Sequence, residues 1–204
     1  MRRTKEEAAA TRKILLDAAL RVFSEKGYSA TRLEDIAERV GMTRGAIYWH
    51  FQNKAELYNT LMTDYSNQVE QIIMDVVNED NSIRETLRQI LTRLFASLET
   101  DPTFRAINEL ALFKTEMAPE LAEGWQMKIA GYHQSIAQIS VAVREGIAAG
   151  DLRADLDPIT AARAFIAFTS GVTTLWLIDP SAFSLKEQAP MLTDVFIRGL
   201  IAAD

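Results

Sequence analysis

There is no cysteine among the 204 residues. Disulfides, thiolate catalysis and cysteine-ligated zinc are therefore excluded, and the chain suits a reducing cytoplasm. Only two histidines are present. They stand far apart, at His50 and His133, so no metal site is expected. A long apolar run is also missing. The most hydrophobic stretch, 159–178, is interrupted by Arg163, several threonines and Gly171, and is expected to be a buried or interface helix rather than a membrane span. The opening MRRTKEEAAATRK carries positive charge with no apolar run behind it, unlike a secretory signal. No nucleophile–base pair, phosphate loop or metal cluster stands out, so neither catalysis nor a cofactor is expected.

What the chain does have is length enough for a real core and an uneven distribution of charge. Its net charge of −6 would not by itself suggest a polyanionic partner. Residues 1–60, however, hold eleven Lys and Arg against eight Asp and Glu, while the remainder is strongly acidic. A basic head on an acidic body leaves the head as the part that can meet phosphate.

The hydrophobic period is helical almost throughout, and no alternating strand or fixed repeat interrupts it. The first helix is expected from about 7 to 26, with Ile14, Leu15, Ala18, Ala19, Val22 and Phe23 as its buried stripe and Gly27 as its C-cap. Thr31-Arg-Leu-Glu34 reads as a capping box opening a short helix that ends at Gly41. Thr43 caps a second short helix, about 44–50, and Asn53-Lys-Ala-Glu56 opens a long one to about 78. Further helices are expected at about 82–100, 103–117, 119–149, 158–178 and 185–202, with Pro119 and Pro158 in first turns. The fold class is therefore all-α, with nine helices.

Residues 31–51, TRLEDIAERVGMTRGAIYWHF, place two short helices on either side of Gly41-Met42-Thr43. Ala37 is small where the helices cross, Gly41 permits the turn, and Ile36, Val40 and Ile47 supply a shared core. This spacing fits a helix-turn-helix or an ordinary helical hairpin. The second helix favours the former, because Thr43, Arg44, Gly45, Tyr48, Trp49 and His50 crowd it with donors and flat rings that packing does not need. Arg44 can address guanine through two acceptors, and Gly45 and Ala46 let the backbone approach base edges. Tyr48 can donate to phosphate, and Lys54 brings a charge and a helix N-terminus to the DNA backbone. Thr31 and Arg32 complete the expected DNA-binding set. Arg2, Arg3 and Lys5 form a basic arm suited to phosphate or the minor groove.

GAIYWHFQNKAELYNTL, following DIAERVGMTR, resembles the signature of the TetR family of repressors, and its Tyr-Trp-His-Phe form is similar to the branch regulating multidrug efflux pumps. The resemblance covers about residues 10–62. The stretch Asn108-Glu-Leu-Ala-Leu-Phe-Lys114 resembles that branch too. It implies a nine-helix fold with a three-helix head at 1–53 and a ligand-binding and dimerisation body at 54–204. It further implies a homodimer on double-stranded operator DNA, released by a small-molecule effector, with the last two helices pairing across the dimer.

In the body, Phe95, Phe165, Phe168, Trp125 and Trp176 suit either plain core or the wall of a roomy apolar pocket. Ile107, Asn108 and Leu112 lie on the sixth helix. A buried Asn108 needs a partner that a ligand, a water or a cap could supply, and His133 is a second candidate polar contact. Ala164, Gly171 and Leu175 in the eighth helix recur at helical spacing, as do Phe196 and Gly199 in the ninth, with small residues suited to close helix crossing. A body too well packed to hold a cavity would instead suit an architectural DNA protein.

Overall fold

A computed structural model describes residues 5–79, 81–116 and 118–201. Arg2 and Arg3 of the expected basic arm lie outside the described residues. Among those described there are nine α-helices, one 3-10 turn and no strand. In order they are α1 (Lys5–Lys26), α2 (Leu33–Arg39), α3 (Arg44–His50), α4 (Lys54–Val77), α5 (Ile83–Thr100), α6 (Pro102–Phe113), the turn Pro119–Leu121, α7 (Ala122–Ala149), α8 (Pro158–Ile178) and α9 (Leu185–Ile197). The chain forms two compact units. One comprises 1–67 with 106–124, and the other 68–105 with 125–204.

The first unit is built on an apolar centre. Leu15, Ala19, Phe23, Ile36, Ile47, Leu57 and Leu110 are all completely buried. Ile14, which the sequence places in the buried stripe of α1 with Leu15, is instead 46% exposed. Phe23 stacks on Tyr28 at 5.6 Å, and Tyr58 meets Tyr28 edge-on at 5.2 Å. Burial, and after it the nearby Glu120 carboxylate, push the Tyr28 hydroxyl well above the ordinary tyrosine range.

Where helix ends differ from the sequence expectation, a hydrogen bond from outside the expected helix takes a group it would have used. The expected Thr31–Glu34 box does not form. Thr31 is buried and donates from Oγ1 to the Gly27 carbonyl at 2.7 Å, so Arg32 occupies the N-cap position. The reach-back falls to Asp35, whose Oδ2 accepts from the Arg32 N–H at 3.1 Å. That N–H and the Lys26 ammonium at 3.1 Å hold the Asp35 carboxyl below its usual range.

Helix α6 stops at Phe113, short of the expected 117, because Lys114 is engaged twice at the end of α1. Its carbonyl accepts from the Tyr28 N–H at 2.9 Å, and its Nζ donates to the Ser24 carbonyl at 2.5 Å. Gly27, at φ +79°, closes α1 between these two contacts.

The second unit is organised around α5, which packs along α9 and touches α8. Phe168 stacks on Phe196 at 4.8 Å and meets Phe95 at 6.1 Å, and Phe165 meets Phe196 at 6.0 Å. Arg88 of α5 bridges to Asp194 of α9 at 2.5 Å. The Asp157 carboxylate caps α8 by accepting from the Thr160 N–H at 2.9 Å. Ser184 caps α9 in the same way, and Glu99 fixes that corner by accepting from the Ser184 hydroxyl and the Lys186 N–H.

Helix α9 ends at Ile197 rather than near 202. The Arg153 N–H takes the Leu200 carbonyl at 2.9 Å and the Arg153 guanidinium takes that of Gly199, so Gly199 lies in the turn beyond the helix. Contrary to the sequence expectation, α8 is long and apolar enough to span a membrane by length and composition. It nevertheless carries Arg163 and buries Ala161, Ala162, Phe165, Trp176 and Leu177.

The double engagement of Lys114 is measurable. Lys114→Met keeps the aliphatic stem but removes the ammonium that satisfies the Ser24 carbonyl. A hydrogen bond from a charged donor contributes about 1.5–3 kcal/mol. In a chain of this size the loss is expected to lower Tm by roughly 3–10 °C, read by thermal unfolding of the two proteins side by side.

Candidate nucleic-acid interface

The turn between α2 and α3 sets the interface. Gly41 adopts φ +65°, a left-handed conformation that costs a side-chain-bearing residue strain. The Met42 N–H then returns to the Ala37 carbonyl at 2.8 Å, and the Gly41 N–H reaches Glu38 at 3.0 Å. Thr43 starts α3 as expected, its Oγ1 accepting from the Ala46 N–H at 3.3 Å. Ile47 is the buried anchor of α3, and Phe51 closes the far end with its N–H on the Ile47 carbonyl. One face of a seven-residue helix is thus fixed inward, and the other faces out.

The outward face carries Arg44, Gly45, Tyr48 and Trp49. The Arg44 side chain is 71% exposed and Trp49 is 68% exposed. Gly45 is informative because the fold has no use for it. A Cβ there would meet only the Thr43 hydroxyl at 3.9 Å, and no unusual backbone angle requires glycine. Glycine inside a helix costs roughly 0.5–1 kcal/mol relative to alanine, and no contact within the monomer accounts for it. The Trp49 ring sits edge-on to His50 at 4.5 Å. Arg32 is exposed at the head of α2, whereas Thr31 is buried and engaged with Gly27, and so acts on the turn itself.

Lys54 is more occupied than the sequence suggested. Its Nζ donates to the Tyr28 carbonyl at 2.9 Å and to that of Ser29 at 3.3 Å, and it sits 4.2 Å from the Tyr28 ring centre. The ammonium therefore holds the α1–α2 connection to the start of α4. Asn53 caps α4 by accepting from the Glu56 N–H, and the Glu56 carboxylate accepts from the Gln52 N–H.

Two residues of this head escaped the sequence reading. Arg12 lies 4.3 Å from the Phe51 ring centre and donates to Thr60 at 3.3 Å, joining α1 to the end of α3 and to α4. The sequence pattern places Glu34 in a capping box with Thr31. With Asp35 in that role, Glu34 turns to α3. Its Oε1 pairs with Arg44 Nε at 2.9 Å and accepts from the Tyr48 hydroxyl at 3.5 Å, the outer limit of a hydrogen bond. No local pattern announces a pair ten residues apart across a turn.

The candidate effector residues divide between the two units. In the first, Ile107 and Asn108 are buried, and Leu112 is 44% exposed. The Asn108 amide oxygen accepts from the Tyr65 hydroxyl at 3.1 Å, which ties α6 to α4. In the second, Phe95, Phe165 and Phe168 form an aromatic cluster with Phe196. Trp176 is buried, its indole N–H on the Phe183 carbonyl at 3.1 Å. Trp125 and His133 lie on exposed stretches of α7. A groove of about 440 Å³ in this unit is lined by Glu79, Glu85, Arg88 and Arg93 among others. Its lining side chains are polar or charged in both signs apart from Pro190, and none of the candidate effector residues is among them.

Of the candidate dimer residues, Ala164, Gly171 and Leu175 are exposed on α8, Leu175 by 64%. Phe196 is half-buried within the aromatic cluster, and Gly199 is exposed in the final turn. A Cβ at Gly171 would meet nothing.

Comparison with known proteins converges on the same reading. Residues 15–61 match the family model described as bacterial regulatory proteins, tetR family, and residues 82–201 match that of the MAATS-type transcriptional repressor C-terminal region. The HTH-type transcriptional regulator TtgR of Pseudomonas putida is 36% identical over 91% of this chain and 89% of its own. The structure of NalD, the secondary repressor of the MexAB-OprM multidrug efflux pump in Pseudomonas aeruginosa, superposes with a TM-score of 0.86. It is 32% identical and is matched over 98% of this chain and 100% of that one. SmeT of Stenotrophomonas maltophilia, solved with triclosan, gives a TM-score of 0.81 at 30% identity, over 95% of this chain and 92% of that one. With a helix-turn-helix whose outer face is supplied for contact and a body matched over most of its length, this chain belongs to the TetR family of bacterial transcription regulators.

Proposed function

We propose that the chain is a dimeric, effector-released transcriptional repressor that controls an efflux transporter from the cytoplasm and has no catalytic role. Residues 1–53 serve as its DNA-binding part and residues 54–204 as its ligand-binding and dimerisation part. The observation that carries this reading is the outer face of α3, where Gly45 and exposed Arg44, Tyr48 and Trp49 answer no need of the monomer. In the major groove Arg44 reads guanine, Gly45 and Ala46 admit close approach, and Tyr48, Trp49 and His50 complete the contact with Thr43. Lys54 and Arg32 meet phosphate, Thr31 supports them from within the turn, and the Arg3 arm adds to affinity.

Two heads are needed to span half-sites about one helical turn, or a multiple of it, apart on a palindromic operator. The exposed stripe of Ala164, Gly171 and Leu175 on α8 suits the pairing surface, joined from α9 by Met191 and Val195, each about 70% exposed. Phe196 backs that surface and Gly199 borders it.

The effector is an apolar or aromatic small molecule, a class supported by the triclosan bound to SmeT. Asn108 is the polar contact proposed to matter most, because it is buried and already tied to Tyr65. A ligand that takes the Asn108 amide competes with Tyr65 and so bears on α4, whose first residue, Lys54, holds the head's α1–α2 connection. In the unit that holds Asn108, Ile107 and Leu112 are further residues proposed for binding; in the other unit they are Phe95, Trp125, His133, Phe165, Phe168 and Trp176. Release requires the ligand to prefer a conformation with wrongly spaced heads.

Three measurements test this reading. A duplex selected by the wild-type protein from a randomised library supplies the operator. Arg44→Ala is expected to lose about 5–150-fold of the preference for that duplex over a shuffled one per half-site, the worth of one bidentate base contact in each, with its melting temperature unchanged. Full retention of the preference would move recognition away from Arg44. Leu175→Asp, at a site 64% exposed in the monomer, is expected to yield folded monomers by sedimentation; an intact dimer would place the pairing surface elsewhere. Saturating triclosan is expected to weaken operator affinity roughly 5–150-fold, and Asn108→Ala to need more triclosan for the same effect. Tight triclosan binding that leaves operator affinity unchanged would refute the coupling.

A further inference from the structure

We infer that Glu34 is a specificity-setting residue of the DNA-reading surface: its carboxylate positions the Arg44 guanidinium and the Tyr48 hydroxyl and keeps Arg44 from binding phosphate indiscriminately. The inference rests on the proposed role of α3 in DNA recognition. The geometry is confined to α2 and α3, within one compact unit. Glu34 Oε1 lies 2.9 Å from Arg44 Nε and 3.5 Å from the Tyr48 hydroxyl, while the Arg44 guanidinium carbon stands 5.3 Å from the Tyr48 ring centre. One carboxylate oxygen thus serves both outward residues, and the Tyr48 ring lies alongside the same guanidinium.

The choice of nitrogen matters. The ion pair makes its closest approach at Nε, on the inner side of the guanidinium, and leaves both terminal nitrogens as a forward fork. Two parallel donors are what the O6 and N7 acceptors of guanine require. An arginine 71% exposed and held by nothing would sweep many orientations and find the nearest phosphate, which carries no sequence information. Pairing with Glu34 also cancels much of the long-range pull between Arg44 and the phosphate backbone, leaving the short-range directional bonds to discriminate. Because Glu34 keeps 41% of its side-chain exposure, the pair is only weakly stabilising. It biases Arg44 and does not lock it.

Other contacts separate this role from a bland one. An acidic residue in the first turn of a helix ordinarily serves the helix dipole or the cap. Asp35 fills that place in α2, its carboxylate taking the Arg32 N–H and the Lys26 ammonium. Glu34 turns to α3 instead, and its first-turn position does not account for the two contacts it makes there.

The test uses the full-length protein, Glu34→Gln, Arg44→Ala and the double variant. Each is titrated with the library-selected duplex and a shuffled duplex of the same composition at several salt concentrations. Glu34→Gln keeps the shape and removes the charge. It is expected to bind the shuffled duplex about 3–10-fold more tightly at low salt, with a salt slope steeper by about one counterion per subunit. Its preference for the selected duplex is expected to fall about tenfold. In the Arg44→Ala background the same change is expected to leave the preference unmoved, because the effect passes through Arg44. Unaltered preference and slope in Glu34→Gln, or equal effects in both backgrounds, would overturn the inference while leaving the repressor reading intact. If the wild type selects no duplex over the shuffled one, that reading fails and the inference falls with it.

Discussion

The 2.8 Å bond from the Met42 N–H to the Ala37 carbonyl governs the DNA-reading surface. With Gly41 at φ +65° it fixes the angle at which α3 leaves α2, and so which α3 residues are buried and which are offered. Ile47 goes inward, and Arg44, Tyr48 and Trp49 go outward. Arg12 against Phe51 and Lys54 against Tyr28 brace the far end of α3 and the head of α4 on the same frame. A small rotation at this turn would carry the guanidinium of Arg44 away from any base edge it was set to meet.

Much of this was legible in the sequence because it depends on local rules. The caps at Thr43 and Asn53, the C-capping Gly27 and most of the inward period of α1 follow from neighbours a few residues apart. The ends of α6 and α9 were misjudged for the opposite reason. Lys114 leaves its helix to bond Ser24 and Tyr28, and Arg153 takes the carbonyls beyond Ile197. These partners lie tens of residues away, and no local pattern records them. The same limit hid Glu34, whose sequence context fits a capping box so well that its contact with α3 went unseen.

Two glycines lie on exposed helix faces where the monomer does not require them. Gly45 on α3 and Gly171 on α8 sit inside helices with ordinary backbone angles and next to no neighbours. Such positions weaken the isolated monomer slightly. Each lies on a face with large exposed groups, Trp49 beside one and Leu175 beside the other. DNA at the first and a second subunit at the second would make use of the missing side chains, which is how a symmetric regulator with two reading heads is assembled. The aromatic cluster of Phe95, Phe165, Phe168 and Phe196 stands apart from this pattern, packed as the interior of the second unit.

The central claim is that Arg44 reads guanine in two symmetric major-groove half-sites. Dimethyl sulfate footprinting on the library-selected duplex measures this directly, because the reagent methylates guanine N7, the atom the guanidinium would cover. The account expects one protected guanine or more in each half-site, related by two-fold symmetry and separated by about one helical turn or a multiple of it. Arg44→Ala, at a concentration that still saturates the duplex, should restore reactivity at those guanines alone. Saturated binding with every major-groove guanine still reactive would contradict the account.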